Sequence, residues 1–170
     1  TGKTYVTARA IVALVRAGKR VGVASNSHEA IKNVLLAVEK ARVEDAPRTS
    51  VPAAPAFPDA APESREAVLN TVLAVNRVLL ASDQWPMAHR CPEHVYETTE
   101  TAIGVATSNE DVQLKLANVV GGTAFYFSRE ENRQTLDVLF VDEAGQVSLA
   151  NLVAMATAAR NVVLVGDPCQ

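Results

Sequence analysis

The feature that most constrains the fold is an uninterrupted apolar segment that ends in two carboxylates. Residues 136–141 are apolar apart from one charge near the start, and Asp142 and Glu143 follow them directly. A second apolar segment, residues 161–165, ends at Gly166. Segments as apolar as these are typical of parallel strands that helices cover on both faces.

The N-terminal part of the sequence also alternates between helix and strand. Residues 5–17 place apolar side chains at helical spacing, and Gly18 follows as a helix-ending residue. Residues 20–24 predict a short buried strand, and Ser27 is a suitable N-cap for the helix whose apolar positions run over 30–38. We therefore expect an α/β fold with a mainly parallel sheet and helices on both faces.

The central part of the sequence differs in composition. Five prolines fall between positions 47 and 62, mostly separated by alanines, which is typical of a linker or a surface insertion. We divide the chain into a first region (1–43), a Pro/Ala-rich linker with a helical insertion (44–100) and a last region (101–170). Within these, we predict a helix at 65–81, no regular period over 83–100, a strand at 101–106, a helix at 110–116 and a strand at 118–120.

Composition and charge exclude some classes of protein. The chain is 48% apolar and 21% charged, which is ordinary for a globular domain. Its net charge of −3 gives no overall positive field for a nucleic acid, so any such partner must be bound by local sites. The two cysteines are far apart, which favours a reducing, cytoplasmic location, and no apolar run is long enough to cross a membrane.

Gly2, Lys3 and Thr4 match the end of a phosphate-binding loop. Glycine lets the backbone approach phosphates, Lys3 would neutralise the β- and γ-phosphates, and the Thr4 hydroxyl would bind Mg²⁺. The alternative is a solvated helix start, because such a tripeptide is common. The earlier glycine of the loop is not in the sequence, so we expect a segment truncated at both ends from a longer polypeptide.

Asp142 and Glu143 stand where open α/β sheets bind their ligands, at the carboxyl end of a strand. Asp142 would hold Mg²⁺, and Glu143 would orient or deprotonate an attacking water. The alternative is that these carboxylates cap the following helix. A carboxylate pair after a strand, downstream of Gly2-Lys3-Thr4, favours a nucleotide site.

Four segments in order resemble the motifs of superfamily 1 helicases. Asp142-Glu143-Ala144-Gly145-Gln146 is similar to their motif II, and Gly166-Asp167-Pro168-Cys169-Gln170 to motif III. Ala24-Ser25-Asn26-Ser27-His28 resembles motif Ia, and Gly121-Gly122-Thr123-Ala124 resembles the Gly/Thr segment that precedes motif II. The nearest branches are the nonsense-mediated-decay helicases and, closer, the helicase halves of bacterial proteins with a RecB-like nuclease.

The resemblance implies a RecA-like P-loop NTPase domain and a role for each matched residue. Glu143, Asp142 and Gln170 would be catalytic, with Gln170 sensing the γ-phosphate. Ser25, Asn26 and Thr123 would contact the nucleic-acid backbone, although Ser25 and its neighbours are also good helix-capping residues. ATP would be bound by Gly2, Lys3, Thr4, Gln146, Gly166 and Asp167, and Mg²⁺ by Thr4 and Asp142.

The implied function is an ATP-dependent helicase or translocase that moves along single-stranded nucleic acid, with DNA favoured over RNA and 5′-to-3′ polarity. Its partners would be a second motor domain and a nuclease domain in the same polypeptide, so this segment alone would be a weak ATPase. One alternative is a P-loop ATPase or switch with no nucleic-acid partner. Another is a non-catalytic scaffold, against which the Asp142-Glu143 pair argues.

Several further residues have alternative interpretations. His89, Cys91 and His94 have a spacing that metal ligands use, but a polar surface loop is the better interpretation because a structural site needs four ligands. Trp85 is more often a packing residue than a base-stacking one. Among residues 125–127, which are all aromatic, at least one is expected in the core and one could face a nucleic acid. Residues 129–133 predict a solvated turn.

Overall fold

The computed structural model describes residues 2–45, 79–80 and 83–167. The Pro/Ala-rich stretch, most of the helix predicted at 65–81, and Gln170 lie outside the described residues. Within them, six parallel strands form one sheet in the order β3-β2-β4-β1-β5-β6. The strands are β1 (Val21–Ala24), β2 (Met87–Arg90), β3 (Gly104–Ala106), β4 (Val119–Gly122), β5 (Leu136–Val141) and β6 (Ala159–Leu164).

Helices cover both faces of this sheet, which confirms the predicted α/β class. They are α1 (Gly2–Arg16), α2 (His28–Glu44), α3 (Val112–Leu116), α4 (Ala124–Phe127) and α5 (Leu149–Ala156). α1 and α2 pack on one face, where Ile11 and Leu35 are fully buried with Val23. The opposite face buries Leu139 with Phe127 and Met155, from α4 and α5. Both cores exclude water from the sheet between them.

Local signals predicted several helix ends correctly. Gly18 adopts a left-handed backbone (φ 75°), and its N–H donates to Val15 O at 2.8 Å, as expected of a residue that ends α1. The Ser27 side chain accepts from the N–H of Ala30 at 3.1 Å and caps α2. These interactions are predictable because each involves residues only three positions apart.

Other predictions needed correction. The segment at 83–100 contains β2, whose His89 is fully buried, so the interpretation of His89 and Cys91 as surface-loop residues was wrong. The segment at 161–165 was predicted to be a buried strand, but β6 lies at one end of the strand order and its residues are largely exposed. A short apolar segment carries no information about which strand will lie beside it, and that neighbour decides burial.

Asp83 and Trp85 connect the entry to β2 with the end of α1. The Arg16 guanidinium donates from Nε to Asp83 Oδ1 at 2.9 Å, and the indole N–H of Trp85 donates to the same oxygen at 3.3 Å. Trp85 is fully buried, which confirms the packing interpretation. Burial alone would raise the pKa of Asp83, but the hydrogen bonds from Arg16 and Trp85 and the charges of Arg16 and Arg42 lower it overall.

Among the described residues, no helix combines the length and the apolar character needed to cross a membrane.

Candidate functional site

The residues predicted to carry chemistry lie at the carboxyl edge of the sheet. Ala24 pairs with Gly122 on one side and with Val141 on the other, and Val141 pairs with Leu164. The residues that follow these strands therefore lie side by side at one edge: Thr123, Ser25, Asp142 and Val165. In a parallel sheet all strands end at the same edge, so distant parts of the sequence meet there.

A cleft of about 430 Å³ opens at this edge. Lys3 and Thr4 reach it from the start of α1, Asp142 and Glu143 from the end of β5, and Gly166 from the end of β6. The remaining lining residues are Ser27, Glu29, Ala30, Asn33 and Asp167. The cleft is therefore polar, with one basic side chain among several carboxylates.

Lys3 and Asp167 form an ion pair across the cleft, with Nζ 3.6 Å from a carboxylate oxygen. Both side chains are about half exposed, at 48% and 46%, so water and salt screen their attraction. An anion with several charged oxygens would therefore compete well for Lys3.

Glu143 occupies a left-handed backbone conformation with φ 54° and ψ 39°. Such a conformation is uncommon for a residue with a long side chain and persists only where its surroundings hold it. The turn that begins at Glu143 is held by Ala144, whose N–H donates to Val165 O at 2.9 Å. Gly166 lies against the same turn, where an added Cβ would be 3.4 Å from Gly145 N.

The helix-capping alternative for the carboxylate pair does not hold. Glu143 makes no side-chain capping bond, and the helix that follows, α5, is capped by Ser148, which accepts from the N–H of Asn151 at 3.2 Å. The Glu143 side chain instead lines the cleft.

Ser25 and Asn26 contact the Glu143 turn. The Ser25 hydroxyl donates to Glu143 Oε2 at 3.5 Å, and Asn26 Nδ2 donates to the backbone oxygen of Gln146 at 2.7 Å. Ser25 is 2% exposed, whereas Asn26 is exposed. Ser27 caps α2, so the capping alternative holds for Ser27 and not for its two neighbours.

The remaining predicted site residues are more scattered. Thr123 is partly exposed beside the end of β1, and the side chain of Gln146 is exposed. Gly2 lines a neighbouring apolar groove between α1 and β6. Of the aromatic run, Tyr126 and Phe127 are buried and Phe125 is 83% exposed. The solvated turn predicted at 129–133 is confirmed by the mostly exposed residues there.

Thr4 and Asp142 offer the ligands expected for a magnesium ion. Hydroxyl and carboxylate oxygens suit Mg²⁺, which binds through one or two protein ligands and completes its shell with phosphate and water. In the described part of the chain no cluster of three or more His, Cys, Asp or Glu side chains could hold a metal ion. The Thr4 hydroxyl and the Asp142 carboxylate would hold such an ion together with a phosphate oxygen.

Sequence reasoning missed Glu29 and Asn33, which also line the cleft. They are four positions apart on α2 and therefore lie on one face of the helix. That spacing was visible in the sequence, but the direction of the face was not, because it depends on how α2 packs against the sheet and α1.

His89 is the centre of a buried hydrogen-bonded group of side chains on the face of the sheet that α2 covers. Its Nε2 lies 3.2 Å from His28 Nδ1, and its Nδ1 lies 3.0 Å from the Tyr96 hydroxyl oxygen. Burial, with a smaller contribution from His28, lowers the pKa of His89 to about 3. Burial also raises the pKa of Cys91 to about 11 and the pKa of Tyr96, so these groups are neutral at pH 7.

The last part of the chain can be compared with known families. Residues 93–170 match the model of a family described as an AAA domain. No curated protein and no solved structure matches the chain. The matched segment includes β3 to β6 and the Glu143 turn. Over residues 93–170 the chain is therefore similar to the AAA domain family, and its all-parallel sheet has the RecA-like arrangement of a P-loop domain.

Proposed function

We propose that the protein binds and hydrolyses ATP in the cleft at the carboxyl edge of the sheet. The observation that carries the proposal is that Lys3, Thr4, Asp142 and Glu143, from opposite ends of the sequence, all line one cavity of about 430 Å³. A cavity of this size suits a small-molecule ligand. The match to an AAA domain over residues 93–170 supports the same activity.

The chemistry follows from the positions of these groups. The Glu143 carboxylate accepts a proton from water while the water oxygen bonds to the γ-phosphorus, and the bond from that phosphorus to the bridging oxygen breaks to release ADP. When ATP binds, Lys3 leaves its ion pair with Asp167, binds the phosphates and neutralises their charge. Thr4 and Asp142 would hold Mg²⁺, which supplies Lewis-acid stabilisation of the phosphate oxygens when bound.

The finer part of the proposal is that hydrolysis drives movement along single-stranded nucleic acid, DNA rather than RNA, in the 5′-to-3′ direction. The motif order that resembles superfamily 1 helicases supports it. So does the carboxyl edge, where Thr123 is partly exposed and Phe125 is 83% exposed. A second motor domain and a nuclease domain in the same polypeptide belong to this part of the proposal.

The test uses the full-length gene product. We expect Lys3→Ala and Glu143→Gln each to reduce ATPase activity by about 100-fold or more, since each removes a group that acts on the reacting phosphate. Single-stranded DNA should stimulate the wild-type ATPase, and strands labelled at either end should report the polarity of movement. Unchanged ATPase activity in both variants would refute the ATPase proposal.

A second candidate is a P-loop ATPase or switch that has no nucleic-acid partner. The net charge of −3 favours it, and so do the bonds that already engage Ser25 and Asn26 within the protein. An ATPase rate that neither single-stranded DNA nor RNA changes, with Lys3 and Glu143 still essential, would select this candidate.

A further inference from the structure

We infer that Ser25 is a positioning residue for Glu143, with its hydroxyl fixing the orientation of the carboxylate that accepts a proton from water. This inference rests on the proposed ATPase function. It assigns Ser25 to the hydrolysis machinery, whereas the helicase resemblance implied a contact with the nucleic-acid backbone.

The first observation is the placement of Ser25. It follows β1, the strand next to β5, and its Oγ lies 3.5 Å from Glu143 Oε2. Its exposure is only 2%, so its side chain offers almost no surface to a polymer bound outside. A residue this buried acts on what it touches inside the protein, and what it touches is the Glu143 carboxylate.

The second observation is how the rest of the Glu143 turn is held. The backbone of the turn is tied to the end of β6 through Ala144 and Val165, and to the loop after β1 through Asn26 and Gln146. These bonds set where the backbone of Glu143 lies, in its left-handed conformation. They do not fix the rotation of the carboxylate about its side-chain bonds, and the Ser25 hydroxyl lies within reach to donate a hydrogen bond to it.

The two residues after β1 therefore have different roles. The exposed Asn26 binds the backbone of the Glu143 turn, whereas the buried Ser25 contacts the Glu143 carboxylate. A general base must keep its oxygen within about 0.5 Å of the position from which it accepts the proton of the reacting water. A hydrogen bond from a neighbouring side chain is a common means of holding it there. Ser25 should therefore affect turnover and leave ATP binding unchanged.

The experiment measures steady-state ATPase in the full-length gene product, without nucleic acid and with saturating single-stranded DNA. We expect Ser25→Ala to lower kcat about three-fold under both conditions, the loss expected for one ordinary hydrogen bond, with KM for ATP unchanged. Ser25→Thr, which keeps the hydroxyl, should retain most of the activity. Thr157→Ala is the control, because it removes a hydroxyl that only donates to Ala154 O at the opposite edge.

A double-mutant cycle separates positioning from a general loss of structure. In single-turnover assays Ser25→Ala should cost little in a Glu143→Ala background, since the group that Ser25 positions is gone. If the two effects multiply, or if Ser25→Ala changes only the DNA concentration needed for half-maximal stimulation, the positioning role is wrong. If Glu143→Ala itself leaves hydrolysis intact, the ATPase proposal fails and not this inference alone. Melting temperatures, followed by the fluorescence of the buried Trp85, verify that each variant is folded.

Discussion

Lys3 Nζ lies 3.6 Å from the Asp167 carboxylate, so the lysine predicted to bind phosphate is held by an acidic side chain from the end of β6. The pair joins the first turn of α1 to the opposite wall of the cleft. Because both side chains are about half exposed, the pair adds little to the stability of the fold. A bound anion can therefore replace Asp167 as the partner of Lys3 with little loss of folding stability.

Replacing Lys3 with alanine should reduce ATP affinity by at least about ten-fold, because a charge-assisted contact to phosphate is lost. The melting temperature should change little, since the ion pair is exposed. Equilibrium titration with a fluorescent ATP analogue measures the affinity. Lys19→Ala, an exposed lysine beyond the far end of α1, is the matched control, and equal affinity in the two variants would count against a phosphate role for Lys3.

Replacing Phe125 with alanine should weaken binding of single-stranded DNA by about 1–2 kcal/mol, if the exposed ring stacks on a base. Phe125 is 83% exposed and lies two positions after Thr123. Fluorescence anisotropy with a labelled oligonucleotide measures this affinity. The variant and wild type should bind an abasic strand equally, whereas a loss on both strands would indicate a backbone contact. Leu116→Ala, at the other edge of the sheet, is the control for removing exposed apolar surface.

Buried His89 should make the fold less stable in mild acid. Its pKa falls from 6.5 in the unfolded chain to about 3 in the folded protein, so between these values the unfolded state binds more protons. The stability that comes with neutral His89 is therefore fully present above pH 6.5 and is lost progressively as pH falls toward 3. From pH 7 to pH 5 we expect a loss on the order of 2 kcal/mol in the free energy of unfolding.

Urea denaturation at both pH values measures this loss, and His89→Gln should remove most of it. Some will remain because the pKa of His28, the neighbour of His89, is also lowered by burial and by Arg90 and His94. The exposed His94 provides the control, since His94→Gln removes only its small effect on His28 and should retain most of the pH dependence. An unchanged dependence in His89→Gln would show that His89 is not the source.

Replacing Asp83 with asparagine should destabilise the fold by about 1–3 kcal/mol, because Arg16 and Trp85 lose a charged acceptor. Asparagine suits the left-handed backbone at this position (φ 55°), so the change tests the carboxylate and not the backbone. Because the folded pKa is lowered, the contribution exists above the unfolded pKa and is lost as pH falls. Urea titration followed by Trp85 fluorescence measures it, with the exposed Glu110→Gln as control. Equal stability of the two variants would contradict this role.

Short-range signals in the sequence predicted much of the fold. The strand at 136–141 was predicted with its observed bounds, because a continuous apolar run before a carboxylate pair has few other folded forms. The strand at 101–106 and the helix at 110–116 were predicted too long, with β3 and α3 covering only Gly104–Ala106 and Val112–Leu116. Element ends depend on contacts that the local pattern does not contain.

The sequence by itself determined which chemical groups stand at the start of α1 and at the end of β5, because Lys3, Asp142 and Glu143 belong to local patterns of glycine, apolar residues and charge. Only the tertiary structure decided what these groups contact. The position of β2 between β3 and β4, the burial of His89 and the bond from Ser25 to Glu143 all join residues far apart in the chain. Strand order determines such contacts, and it depends on the packing of all the elements together, which no local pattern encodes.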